Sequence, residues 1–390
     1  MLFPSDDDVT RPDPSADPVI RAISDAQVEA TRRFSRAQID NFMRRTEQLH
    51  GGGSGDRLAM GIRLQLRDRI NGRPGDPAYR DPTDPVDPAG AAGVDRAGAE
   101  GDGAASDMTG GRAVGQVGFW TGGAIEIGTR DATARRDKIN ATTSGLSGGA
   151  DIRLSEGLTI GLGGGYGADT SRIDGGAARV TGKSKVIAAY ASAAPAPDAF
   201  IDGVVAYGDL DFRTRRIVDA TGATARGRRD GEMTFASIAA GIDRTDGSLR
   251  WSAYGRGEYL DSALDAYAEA GGGRFDLRFD RRKVRSFLGI VGGKISFTQP
   301  VSFGRVTPRL GAEWRHEFNS SSIQRLDYAD IAGNAIFGVN TLGWSREQYE
   351  LTVGSRLDLR SQWSIDLEMG LRAASGERAG NVRIQISKEF

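Results

Sequence analysis

The chain has 390 residues, 55 of them glycine and none cysteine, and 51 Lys plus Arg against 52 Asp plus Glu give a net charge of −1. Without cysteine there are no disulfide staples, Cys-ligated zinc, iron–sulfur clusters or cysteine nucleophiles; two histidines, His50 and His316, leave little for a His-rich metal site; and the balanced charge gives no general nucleic-acid footprint. A mean hydropathy of −0.39 with no long apolar run excludes a transmembrane helix, but not a transmembrane β-barrel, whose signal per segment is far weaker.

Residues 1–16 are acidic and Pro-rich and are expected to be disordered. Residues 17–50 contain no Gly and only Pro18. Asp17 reads as an N-cap with Pro18 at the first helical position, where its missing N–H costs nothing. Ile20, Ile23, Ala30, Phe34, Ala37 and Met43 recur mostly at three- and four-residue steps, which predicts one long helix ended by Gly51-Gly52-Gly53. About 33 residues at 1.5 Å each give roughly 50 Å, enough to cross a bilayer with its headgroups. Yet the segment carries Arg21, Arg32, Arg33, Arg36, Arg44 and Arg45, so it cannot face lipid tails. Residues 51–115 read as a Gly/Pro/Asp-rich linker, flexible at Gly51–Gly55 and disordered over 72–112, with 58–69 able to form a short strand or helix.

From about Val117 the texture changes to period two. Leu158, Ile160, Leu162 and Tyr166 share one face against Gly161, Gly163, Gly165, Gly167 and Asp169 on the other. Residues 306–318, 349–360 and 363–372 likewise set an apolar face against a charged or glycine face. These alternating stretches run longer than the five or six residues usual in globular strands and reach the roughly 9–11 that a membrane strand needs. Short turns at 155–157, 193–198, 245–247, 299–301 and 360–362 alternate with long loops at 217–229, 262–280 and 319–342. The reading is an all-β transmembrane barrel of about 12 antiparallel strands over 116–390: 117–131, 138–154, 158–173, 178–192, 199–216, 228–244, 248–262, 281–298, 302–320, 342–360, 363–374 and 380–390. Both barrel ends then lie on the short-turn side. Pro308 inside a strand predicts a bulge or a shifted boundary. The glycine face is read as a tight, curved wall that keeps the lumen open.

The last strand puts Val382, Ile384, Ile386 and the terminal Phe390 on one face. A closing strand of this kind resembles the signal read by the barrel-assembly machinery. Phe119-Trp120-Thr121-Gly122-Gly123, the strand at 158–169, Leu326-Asp327-Tyr328-Ala329-Asp330 in the largest loop, the closing strand, and Arg36–His50 of the helix together resemble the translocator unit of autotransporters (type V secretion). The likeness covers about 117–390 and extends to 18–50; it does not cover 1–16 or 72–112.

The resemblance implies a Gram-negative outer-membrane translocator that anchors and exports an N-terminal passenger. Helix 17–50 would plug a wet lumen, with Ile20, Ile23, Arg32, Arg33, Phe34, Arg36, Asn41, Arg44 and Arg45 as pore-helix residues. Candidate lumen-facing residues are Glu126, Glu313, Arg315, Glu350, Arg356, Asp366 and Glu368; with Glu317 added, the acids among them are the proposed partners of the helix arginines. A general pore without a secretion role and, more remotely, a soluble β-rich interaction protein are the alternatives. Implied partners are outer-membrane lipid, the barrel-assembly machinery and the chain's own passenger; the barrel is expected to be monomeric, and no nucleic acid, cofactor or metal is called for. The family carries a signal peptide, so this chain is expected to be the C-terminal part of a longer product. Some relatives cut the passenger off within the helix, an Asn attacking its own backbone beside a lumen acid. Asp40-Asn41 lies in the matching element, but Asn41 is read as a polar helix-face residue and His316, beside Glu317, as a rim contact, so no enzyme activity is expected.

Overall fold

The computed structural model describes residues 11–50, 114–115, 117–132, 137–319, 322–333, 335–341, 346–359 and 363–388. Helix α1 (Pro18–His50) starts where its sequence signals place it: the backbone N–H groups of Val19 and Ile20 donate to Asp17 Oδ1 at 2.8 and 3.3 Å. Residues 11–16, expected to be disordered, instead form an ordered lead-in, with a 3₁₀ turn at Pro14–Ala16 capped by Asp13. The linker expectations for 51–113 lie outside the described residues.

The strands in chain order are β1 (Val117–Arg130), β2 (Ile139–Ser155), β3 (Leu158–Ile173), β4 (Ala178–Ala196), β5 (Ala199–Ile217), β6 (Thr224–Asp246), β7 (Leu249–Leu264), β8 (Tyr267–Ala268), β9 (Leu277–Phe279), β10 (Arg282–Phe297), β11 (Gln299–Val301), β12 (Gly304–Glu317), β13 (Ser322–Tyr328), β14 (Phe337–Thr341), β15 (Glu347–Leu359), β16 (Trp363–Ala374) and β17 (Glu377–Lys388). Among the described residues twelve of these are long and antiparallel, β1 to β7, β10, β12 and β15 to β17, and they form one closed barrel. Closure runs through β1 and β17, from Ala124 opposite Arg383 to Arg130 opposite Glu377. Closing the sheet leaves no unpaired edge, which a bilayer would penalise heavily.

The outward face is apolar: Leu162, Ile187, Leu371 and Ile127 are 71, 70, 69 and 63% exposed. Such a belt is at home only in lipid. Exposed Tyr166, Tyr207, Tyr259, Phe287, Trp314 and Tyr349 border it toward the loops, and Phe297 and Phe303 toward the short turns, as interfacial aromatics do.

Loop structure departs from the expected alternation. The 265–281 and 318–346 connections hold β8, β9, β13 and β14, which form a separate four-stranded sheet across the loop end. The 217–229 loop shrinks because β6 begins at Thr224 and continues the β5 ladder. The last strand begins at Glu377 rather than 380, so Ser375-Gly376 makes a tight turn on the loop side, with Gly376 at φ 69°. Pro308 causes no bulge: it pairs with Ser355 in regular register. It falls at the break between the β10 and β11 ladders, where a missing N–H costs least. The register shifts occur instead at Arg153/Ser155 and Ala193/Ala196, beside short turns.

Candidate functional site

Helix α1 lies inside the barrel, so the site is the plugged lumen. The helix enters the loop end with Pro18 and reaches the short-turn end with Glu47, whose carboxylate accepts from Lys294 Nζ at 2.6 Å. It packs off-centre, against the wall made by β2, β3, β4 and β5.

That wall is built from glycine. Phe34, Gln38 and Phe42 sit four residues apart, one stripe of a 3.6-residue helix. They lie against Gly167, Gly165 and Gly163 of β3 in turn: a Cβ on any of the three would collide with the facing side chain. Across the same groove a Cβ on Gly145 would come within 3.0 Å of Ala37 Cβ. Phe34 and Phe42 are fully buried, each contributing about 2 kcal/mol of apolar burial. Phe42 meets Trp120 edge-on at 5.1 Å between centroids and Tyr190 at 5.5 Å. Trp120 Nε1 donates to the Tyr190 hydroxyl at 2.6 Å, and that hydroxyl donates to Asp151 at 2.9 Å.

Polar pairs pin the helix on both flanks of this stripe. Arg45 makes two bonds to Asp151 at 2.7 and 2.8 Å. Arg33 pairs with Asp169 at 2.8 Å and donates to Thr143 and Ser171. Asn41 Nδ2 donates to Ser147 Oγ at 2.8 Å, and that hydroxyl donates to Gln38 Oε1 at 2.7 Å. Arg44 pairs with Glu368 at 2.5 Å and approaches Asp366 at 4.0 Å. In the reverse sense, Arg383 holds Asp40 at 2.8 Å, and Arg130 pairs with Glu29.

The opposite wall is ionic. Glu126 on β1 accepts from Arg372 on β16 at 2.7 Å; Arg372 also bonds Glu350 on β15 at 3.2 Å; Glu350 pairs with Arg315 on β12 at 2.8 Å; Arg315 pairs with Glu313 at 2.6 Å; and Glu313 meets Arg256 on β7 at 3.4 Å. Charges of alternating sign drawn from five strands thus form one belt, in which Glu350 and Glu313 are each shared by two arginines and Glu126 ends the chain on Arg372. Next to this belt, beside Asp40, Arg44 and Glu47, the helix leaves a polar cavity of about 80 Å³. A polar space of that size holds water, which is what makes a charged lumen affordable.

The loop end is closed differently. Buried Arg229 donates to Gln27 at 2.8 Å, to Gln324 at 2.9 Å and to the Asp280 carbonyl at 2.8 Å. Buried Arg282 reaches the Ser24 carbonyl at 3.2 Å and Ser322 Oγ at 2.7 Å. The lead-in then leaves through the loop sheet, where Tyr328 donates its hydroxyl to the Pro12 carbonyl at 2.7 Å and Arg11 clasps Asp330 at 2.5 and 2.7 Å. That bond from Arg11 holds the Asp330 carboxyl below its ordinary range.

A barrel with its own N-terminal helix threaded through it, tail out at the loops, is the arrangement expected of one family, whose model, described as an autotransporter beta-domain, matches residues 119–370. The chain belongs to the autotransporter family. Among solved structures, the translocator domain of the autotransporter NalP from Neisseria meningitidis is similar over 72% of this chain and 90% of that one, with a TM-score of 0.57 and 15% identity. The transport unit of the autotransporter AIDA-I from Escherichia coli is similar over 72 and 91%, with a TM-score of 0.52 and 15% identity. At such identities the likeness speaks for the fold. No curated protein sequence matches the chain. As an autotransporter β-domain it is an outer-membrane translocator, and exporting an N-terminal passenger is the family's role.

In this autotransporter the lumen-facing candidates divide. Glu126, Glu313, Arg315 and Glu350 form the belt; Asp366 and Glu368 face Arg44; Arg356 bonds Asp358 on its own strand at 2.9 Å. Of the acids proposed as partners of the helix arginines, Asp366 and Glu368 meet one, Arg44. Glu317 accepts instead from Ser286 and from the Phe287 N–H. Asp151 and Asp169, which hold Arg45 and Arg33, were not among the candidates. The available signal was parity, since Asp169 follows the glycines on the lumen face of β3. Arg32 is buried away from the glycine wall, its Nη2 3.5 Å from the Arg285 carbonyl; Arg36 is buried as well. Ile23 joins the main core, while Ile20 packs with Tyr267, Leu277 and Phe279 under the loop sheet. His316 is paired with Glu347 at 2.6 Å, not with Glu317, because neighbours on a strand face opposite ways. In β17, Val382 is exposed on the lipid face, and Ile384 and Ile386 stand in register with Leu367 and Ile365. Phe390 lies outside the described residues.

Proposed function

We propose that the chain has carried the segment preceding α1 from the short-turn side to the loop side, and that α1 stays behind as a resident plug with no further chemistry. The observation that carries this is the direction of threading: Glu47 lies at the short turns, whereas Arg11 and Pro12 are clasped by loop residues Asp330 and Tyr328. Whatever precedes residue 11 therefore starts from the outer face. In this reading β17, paired to both β16 and β1, is the strand that the barrel-assembly machinery recognises, and the barrel works as a monomer because its pore is complete within one chain. In this reading the domain acts without enzymatic activity, with the Asn41 amide engaged by Ser147 and Asp40 paired with Arg383. A general pore is disfavoured by the helix that fills the lumen.

The chain has no cysteine of its own, so single cysteines report topology cleanly. A membrane-impermeant maleimide applied to intact cells should label Ala16→Cys, beside the loop sheet, and spare Ser248→Cys, in a short turn. Labelling of Ser248→Cys alone would reverse the proposed direction.

A further inference from the structure

The outward wall carries a charge feature that neither the pore nor the plug uses. Arg172 on β3 stands directly opposite Arg179 on β4, Arg179 opposite Arg215 on β5, and Arg215 opposite Arg226 on β6. All four side chains are exposed on the outside of the barrel. Among the described residues none of the four has an acidic partner. One row further down, Arg213 faces Arg228, but there Asp211 compensates, 2.7 Å from Arg228 and 3.8 Å from Arg213. Like charges directly opposite in a sheet are destabilising, so four uncompensated guanidinia in one cross-strand row call for an anion from outside the chain.

We propose that this row binds the phosphorylated sugar region of a glycolipid in the outer leaflet. Arginine forks match phosphate oxygens two by two, and a row of them spaced by a strand repeat suits an extended, multiply charged headgroup. Height selects the ligand. On β5 the apolar band ends at Tyr207, with acids at Asp209 and Asp211 before the arginines begin. Eight residues separate Tyr207 from Arg215, about 26 Å along the strand and roughly 20 Å of height at the usual barrel tilt. A phospholipid headgroup layer is only about 5–7 Å deep, so its phosphates stop well below the row. A saccharide core bearing phosphates reaches it.

The test uses the full chain in nanodiscs containing lipopolysaccharide with its core phosphates intact, the same glycolipid after dephosphorylation, or phosphatidylglycerol. Retention after washing should be at least tenfold higher for the phosphorylated glycolipid than for the other two. Arg179→Gln/Arg215→Gln should lose that tenfold preference, while Arg305→Gln, an exposed arginine of the short-turn side, should keep it, both remaining heat-modifiable on gels. Inorganic phosphate at matched concentration should not displace the glycolipid. Equal retention by the double variant, equal retention of the dephosphorylated lipid, or displacement by free phosphate would each overturn the proposal.

Discussion

The two walls of the lumen solve opposite problems. On the β2–β5 side, glycine removes side chains so that Phe34, Gln38 and Phe42 lie directly on the sheet, and the contact is close-packed. On the β7, β12, β15, β16 and β1 side, long charged residues fill the space, pair with one another, and leave a cavity beside the helix. The difference teaches that the plug is held by shape on one side and that the pore is kept wet on the other. A helix packed tightly all round would be hard to thread; one surrounded only by ion pairs would have little to fix its register.

Removing the helix tests both walls at once. Deleting 17–50 should raise single-channel conductance in planar bilayers several-fold, because the belt cannot collapse across the space the helix leaves. Unchanged conductance would show that the loop sheet, not α1, is the seal. Next in size, Gly165→Val puts a branched side chain where Gln38 lies. It should push the helix off its wall, raising both conductance and protease cutting within 18–50. The same change at Gly255, whose Cβ position is open, should do neither. On the ionic side, Glu350→Gln takes a charge from Arg315 and Arg372 together. It should lower the heat-modification midpoint by an amount corresponding to about 1–3 kcal/mol without displacing the helix. The smallest effect belongs to the outer clasp. Arg11→Ala removes an exposed pair worth under about 1 kcal/mol and should show only as faster proteolysis of the lead-in. Because the bond from Arg11 depresses the Asp330 pKa, the clasp is whole above the unfolded carboxylate's value of about 3.9 and is lost as pH falls through the lower folded value. Protection of residues 11–16 should fade only in strong acid, and should not change between pH 5 and 8.

The barrel was legible because its strands alternate over long stretches, and the helix because Asp17-Pro18 and a glycine-free run mark it. The belt acids of β12 and β15 were legible for the same reason: apolar residues there alternate with charged, glycine or small polar ones. The partners of Arg33 and Arg45 were not, since Asp169 and Asp151 stand among glycines, serines and threonines, where nothing distinguishes a helix partner from a solvated face. Nor could a one-strand pattern reveal that the glycine comb is a seat for three helix side chains, because that requires the register of α1 against β3. The loop sheet escaped notice for a similar reason: its strands are three to seven residues long apart from the two-residue β8 and gain their order from pairing across distant loops.

The claim that α1 lies on the glycine wall is most directly tested by cross-linking in the cysteine-free chain. Ala37→Cys with Gly145→Cys brings two Cβ positions within disulfide reach, so mild oxidation of outer membranes should give an intramolecular disulfide, detected as a gel shift reversed by reductant. Ala37→Cys with Glu350→Cys, on the ionic wall, should stay reduced. Cross-linking of the second pair in preference to the first would contradict the account.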